Sequence, residues 1–108
     1  NQESQMPRLF ERPPPEARGQ LISISGRDHY VDIVTDTGRA TLLMRFADAL
    51  AESEPADGTQ IHRSHWVAWS AIASAGREGQ KAWVDLHDGT RLPVSRNHRD
   101  KLEQRGLF

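Results

Sequence analysis

Hydrophobic and polar positions fall into short alternating runs from Leu21 onward, and those runs read as strands. Leu21-Ile22-Ser23-Ile24-Ser25 is a β-branched stretch ended by Gly26. Tyr30 to Thr35 forms a second, and Arg39 to Met44 a third beyond the turn chemistry of Asp36-Thr37-Gly38. The period then changes. Phe46, Ala49 and Leu50 recur at spacings of three and four over residues 45–53, which predicts one short amphipathic helix. Residues 54–58 read as a loop. Ile61 to Trp69 is one run rich in aromatic and branched residues, Ser70 to Ala75 is a further strand candidate, and Gly76-Arg77-Glu78-Gly79 reads as a turn.

The clearest hairpin joins Lys81–Leu86 to Arg91–Val94. A two-residue loop at Asp88-Gly89 would set Leu92 beside Asp85. A three-residue loop, His87-Asp88-Gly89 with Gly89 left-handed, pairs Leu86 with Thr90, Val84 with Leu92 and Ala82 with Val94. The second register gathers the apolar residues on one face and is preferred, with a bulge at Gly89. Asp36-Thr37-Gly38 is given the same shape. Ser95 to Arg105 closes the chain as a surface helix with Leu102 as its strong apolar residue, capped by Ser95 or Asn97 and ended by Gly106. The expectation is about seven strands and two short helices over residues 21–108. Residues 1–20, with Pro7, Pro13-Pro14-Pro15 and balanced charges, read as a semi-rigid linker.

Composition narrows the function classes. The 108 residues fit one small domain, and net charge is −1. A uniformly basic nucleic-acid coat is excluded, but a local basic face is not. The total hides a dipolar layout. Residues 91–105 carry Arg91, Arg96, Arg99, Lys101 and Arg105 against Asp100 and Glu103, whereas residues 45–58 carry Arg45 against Asp48, Glu52, Glu54 and Asp57. The absence of cysteine excludes disulfide scaffolds, thiolate nucleophiles and zinc sites that need Cys. No apolar run approaches the length of a membrane span. The chain begins at Asn1 rather than Met, which reads as a piece of a longer protein.

Three kinds of candidate chemistry compete. The histidines His29, His62, His65, His87 and His98 could suggest a metal. His62 and His65, three apart on one continuous strand, would point to opposite faces, so these residues read as surface or packing histidines with no metal and no cofactor. Ser64, Ser95, His62 and several aspartates could compose a triad on paper. Such combinations arise by chance in a polar chain, and neither a nucleophile elbow nor a phosphate loop is present, so the chain does not read as an enzyme. The third candidate is positive charge placed at turns: Arg27-Asp28-His29, His62-Arg63-Ser64-His65, and Ser95-Arg96-Asn97-His98-Arg99. Arg, Asn, His and Ser are the side chains that meet base edges and phosphates. Trp66 and Trp83 read as core, and Trp69 is left open between core and surface.

From Leu21 to the end the chain resembles the LytTR family of DNA-binding domains. The resemblance is carried by Ser25-Gly26-Arg27-Asp28-His29-Tyr30-Val31, the helix Arg45-Phe46-Ala47-Asp48-Ala49-Leu50, Ile61-His62-Arg63-Ser64-His65-Trp66-Val67, and Asp88-Gly89-Thr90-Arg91-Leu92-Pro93-Val94-Ser95-Arg96, in that order. Two departures stand out: Val67-Ala68 where the family often has Val-Asn, and His65 in place of an apolar or aromatic residue. The resemblance implies a mainly β fold of small antiparallel sheets with two short helices. It implies a transcription regulator that puts loops, not a recognition helix, into successive major grooves of double-stranded DNA. Base contacts are implied for His29, Arg63 and Arg96. Backbone or supporting contacts fall to Arg27, Asp28, His62, Ser64, His65, Ser95, Asn97, His98, Arg99 and Lys101. A response-regulator output domain of a two-component system is implied, cytoplasmic or tethered to the membrane, with an upstream receiver or a membrane or sensor segment. The fragment is expected to be a monomer alone that pairs on DNA with adjacent half-sites. The competing reading is a β-rich protein-interaction or ligand-sensing module whose basic turns only solvate it.

Overall fold

The structure, a computed structural model, describes residues 20–53 and 56–108. The expected linker, Gln20 apart, lies outside the described residues, as do Glu54 and Pro55 of the expected loop. The chain order is β1 (Leu21–Arg27), β2 (Tyr30–Thr35), β3 (Arg39–Leu43), α1 (Phe46–Ser53), β4 (Gly58–His62), β5 (His65–Ala68), β6 (Ile72–Glu78), β7 (Lys81–Leu86), β8 (Arg91–Pro93) and α2 (Arg99–Gln104). Single 3-10 turns cover Trp69–Ala71 and Arg96–His98. The fold is mainly β, in two small antiparallel sheets with two short helices, as expected. The first sheet has the order β3-β2-β1-β5-β4, and the second β6-β7-β8.

Local sequence explains most of these elements. In β2, alternation turns Val31, Ile33 and Thr35 inward, and in β7 it does the same for Ala82, Val84 and Leu86. In β5 the consecutive residues Trp66, Val67 and Ala68 are all buried, so beyond half-buried His65 the strand exposes neither face. α1 presses onto β1 at Gly26, where an added Cβ would come within 2.9 Å of the Phe46 Cβ. One apolar core joins both sheets, with Ile24, Ile33, Val67, Val84 and Leu102 fully inside it. Leu102 is the only buried residue of α2 and fastens that surface helix down. The helix ends in a Schellman motif: Leu107 N–H donates to the Leu102 carbonyl and Gly106 N–H to that of Glu103, with Gly106 at φ 76°.

The β7–β8 hairpin takes the expected register. Val84 faces Leu92, Leu86 N–H donates to the Thr90 carbonyl, and Val94 N–H donates to that of Ala82. Gly89 sits at φ 93°. Four expectations need correction. Gly76 lies inside β6, and the turn is Gly79-Gln80, flanked by the pair Glu78–Lys81. Gly79 has φ 62° at the first central position, as a II′-type turn demands. Gly76 is in the strand because the Trp83 ring lies over it; a Cβ there would come within 2.7 Å of Trp83 Cζ2. The run 61–69 is not one strand but β4, the turn Arg63-Ser64, and β5, followed by a 3-10 turn. Neither Ser95 nor Asn97 caps a helix with its side chain; a 3-10 turn precedes α2 instead. Gly38 is not left-handed, and Thr35 closes its turn by donating N–H and hydroxyl to the Gly38 carbonyl.

Close packing at Gly58 gives a direct test. A Cβ there would overlap the Trp66 ring and the Val67 carbonyl, and backbone cannot yield as a flexible side chain can. Gly58→Ala should lower stability by about 1–3 kcal/mol or more, read from the midpoint of urea unfolding. An unchanged midpoint would contradict the packing described.

Candidate nucleic-acid interface

The three polar turns singled out from the sequence lie at one end of the molecule. β1 pairs antiparallel with β2 and with β5, so the β1–β2 turn and the β4–β5 turn emerge side by side. Gly26 N–H donates to the Ser64 carbonyl at 2.8 Å, tying the two turns together. The third segment is joined through a bulge. In β4 the partners step from Gln60–Trp66 to His62–His65, leaving Ile61 as the extra residue. Its carbonyl accepts the Ser95 N–H at 2.8 Å, which pins the start of the 95–99 segment to β4. The Gly79-Gln80 tip of the second sheet reaches the same place. The opposite end carries the Asp36–Gly38 and His87–Gly89 turns, which line a separate small cleft with Gln20 and Ser70.

In the β1–β2 turn, Asp28 adopts φ 52°, a left-handed conformation that short polar side chains tolerate. His29 is exposed, and its ring makes no hydrogen bond, ion pair or ring contact among the described residues. Arg27 is held by Asp32, with Nε and Nη2 donating to the carboxylate at 2.9 and 3.2 Å. Such an exposed pair adds roughly 0.2–1 kcal/mol at most, so it orients Arg27 more than it stabilises the fold. Burial pushes the Asp32 carboxyl up, but hydrogen bonds from Arg27 and Thr41 and the charges of Arg27 and Arg39 leave it below its ordinary value.

In the β4–β5 turn, His62 does what an Asn or Asp would do in a turn. Its Nδ1 accepts the Ser64 N–H at 3.2 Å and lies 3.1 Å from Ser64 Oγ. The neutral His62 ring therefore carries its proton on Nε2. Arg63 at the apex is exposed and unpaired among the described residues. His62 and His65 are strand partners across the turn, with ring centroids 5.3 Å apart. The expectation of opposite faces is thus corrected, because the chain reverses between them. No group of three His, Asp or Glu side chains gathers into a metal-binding set among the described residues. His65 Nδ1 meets Ser25 Oγ at 2.7 Å.

In the 95–101 segment, Arg96 Nη2 donates to Gln80 Oε1 at 3.0 Å, and Arg99 Nη2 donates to the Gln80 main-chain carbonyl. Lys101 Nζ donates to the Gln60 carbonyl at 3.0 Å, and burial lowers its pKa. Asn97 is exposed. His98 is half-buried, and its Nδ1 has no hydrogen-bond partner among the described residues. Arg96, Arg99, Arg91, Lys81 and His62 line a cleft of about 660 Å³ floored by Trp83, Pro93 and Val94. The tryptophans divide. Trp66 is buried as expected. Trp83 is only half-buried, with the Arg91 guanidinium 4.8 Å above its ring. Trp69 carries Arg105 at 4.0 Å.

The structure thus brings the 27–29, 62–65 and 95–101 segments together. Sequence reasoning missed Gln80, Ser25 and Gln60, which hold Arg96 and Arg99, His65, and Lys101 respectively. Gly79 could have marked the Gln80 turn, but the neighbouring Gly76 drew the boundary three residues early. For Ser25 and Gln60 no local pattern distinguishes the position.

A β-rich domain that presents convergent basic turns, without a protruding helix, has the charge and shape to meet an extended anionic surface. Comparison places it: the family model for the LytTr DNA-binding domain matches residues 19–106, and the chain belongs to that family. The family is one of DNA-binding domains, not of enzymes. Among solved structures, the fold is similar to a Bacillus cereus chain described as the LytTr DNA-binding domain of a methyl-accepting/DNA response regulator. That match has a TM-score of 0.69 at 14% identity, covering 82% of this chain and 83% of the other. No curated protein matches. No helix among the described residues is long and apolar enough to cross a membrane.

The histidines set an expected pH dependence. Burial, with a smaller contribution from His62, lowers the pKa of His65; burial, then Lys101 and His62, lowers that of His98. The unfolded chain therefore binds more protons as pH falls through the ordinary imidazole value near 6.5. Stability is complete above that value and declines as pH drops from it toward the lowered folded-state values. The lowered pKa values of Asp32, Asp85 and Asp88 act only below the ordinary carboxylate value of 3.8. The urea midpoint should be lower at about pH 5.5 than at about pH 8, and less so in His65→Gln. Equal midpoints would contradict this reading of the two rings.

Proposed function

We propose that the domain binds double-stranded DNA sequence-specifically, as the output domain of a transcriptional regulator, by inserting its turns into successive major grooves. The observation that carries this is the convergence of the 27–29, 62–65 and 95–99 segments at one end of the two sheets. His29 and Arg63 are exposed there, with no intramolecular partner among the described residues. Asp28 adopts a left-handed backbone at the same place, and sparsely populated conformations concentrate at functional sites.

His29, Arg63 and Arg96 take the base-reading roles. An Arg can pair with guanine O6 and N7 at once, worth ~1–3 kcal/mol of discrimination, and a neutral His offers one donor and one acceptor. Arg27, Asp28, His62, Ser64, His65, Ser95, Asn97, His98, Arg99 and Lys101 take backbone or supporting roles. Lys101 has three donors and uses one on Gln60, so two remain for phosphate. The regulator works in the cytoplasm, free or tethered, under an upstream receiver or a membrane or sensor segment. The isolated domain is a monomer that pairs on adjacent half-sites.

Titration of a duplex selected from a random pool, at several salt concentrations, tests the reading. The log–log slope should be several units, at about 0.9 for each neutralised phosphate. Arg63→Ala and Arg96→Ala should each weaken the best duplex and relax preference at particular base pairs. Lys101→Ala should weaken all duplexes alike and lower the slope by about one. Salt-independent binding, or no binding to any duplex, would overturn the proposal.

A further inference from the structure

We infer that Gln80, at the tip of the β6–β7 hairpin, is a positioning residue that presets Arg96 for base readout, an inference that rests on the base-reading role proposed above. Five arginines near the second sheet and the turns find acceptors, and they divide by the kind of acceptor. Arg27, Arg77 and Arg91 pair with the carboxylates of Asp32, Glu103 and Asp85. Arg96 and Arg99, in the segment that follows the last strand, are both held by one neutral residue, Gln80. A carboxylate neutralises the guanidinium it binds and competes with DNA for it. An amide oxygen fixes the guanidinium and leaves its charge for the duplex.

The geometry leaves the reading edge intact. Gln80 Oε1 takes one proton of Arg96 Nη2. The remaining donors of the planar fork still include a complete two-nitrogen edge, which is what guanine O6 and N7 require. The tip is a short, closed turn: Gly79 makes it at φ 62°, and Glu78 and Lys81 close it as a strand pair. A long arginine side chain held in place beforehand has less freedom left to lose on binding. The second sheet therefore contributes a fourth turn to the interface, through Arg96 instead of through a direct contact.

The side chain and main chain of Gln80 can be tested apart. Gln80→Ala removes the oxygen that holds Arg96 and keeps the carbonyl that holds Arg99. Gln80→Glu keeps an acceptor at the same reach. Each variant, with Arg96→Ala and the double variant, is measured on the best duplex and on its single-base variants. Gln80→Ala should reduce the preference at the base pair that Arg96 reads by about three- to tenfold, part of what one bidentate pair supplies, with an unchanged salt slope. Gln80→Glu should keep that preference ratio while weakening every duplex through its added charge. In the Arg96→Ala background, Gln80→Ala should have no further effect on the ratio. If Arg96→Ala relaxes one base pair but Gln80→Ala leaves the ratio unchanged, or lowers it equally without Arg96, the positioning role is wrong and the base-reading role stands. If Arg96→Ala weakens every duplex by the same factor, the base-reading role falls and the positioning role falls with it.

Discussion

β1 is hydrogen-bonded on both sides, to β2 along its whole length and to β5 through Ser23, Ile24 and Ser25. The rest of the molecule depends on that double pairing. An antiparallel partner on each flank means that the chain leaving β1 and the chain entering β5 meet at one end of the sheet. Those two chain reversals are the Asp28-His29 and Arg63-Ser64 turns. Two polar turns from segments some thirty residues apart thus become neighbours because of ladder geometry, not because of any attraction between them. The Gly26–Ser64 hydrogen bond then locks the spacing.

The remaining pieces are fitted to this end by small irregularities. The bulge at Ile61 frees a carbonyl for Ser95 and so anchors the chain that follows the last strand. Lys101 reaches back from α2 to the neighbouring Gln60 carbonyl. Leu102 is sealed in the core, so the short helix cannot swing away and take the 95–99 segment with it. The far side of the first sheet is handled differently. Its edge strand β3 buries no residue, and Leu43 is 72% exposed beside Tyr30 at 48%, so this edge contributes shape more than core. Organisation of the charged end therefore falls to β1, β4, β5 and the apolar core that joins the two sheets.

Much of this was legible in the sequence where one local signal dominated. The β7–β8 register followed from Ala82, Val84, Leu86, Leu92 and Val94 needing a common face, and α1 from the spacing of Phe46, Ala49 and Leu50. The family followed from ordered motifs. Legibility ended where the deciding interaction was tertiary or unusual. The turn at Arg63-Ser64 lacks Gly, Pro, Asn and Asp, because the His62 ring satisfies the turn in their place. That substitution hid a strand break and hid the approach of His62 to His65. Gly76 looked like a turn residue but is a glycine of close approach, selected by the Trp83 ring across the sheet. The hold of Gln80 on two arginines was invisible because it joins residues sixteen and nineteen positions apart through a turn that had been misplaced.

The proposed DNA-binding face is one end of the molecule acting as a unit. Backbone amide NMR during titration with the selected duplex can map that face. The amides of Asp28-His29, Arg63-Ser64 and Arg96 to His98 should shift together, with one concentration dependence, while Thr37-Gly38 and Asp88-Gly89 at the opposite end stay in place. Shifts centred on that opposite end, or confined to one of the three turns, would contradict it.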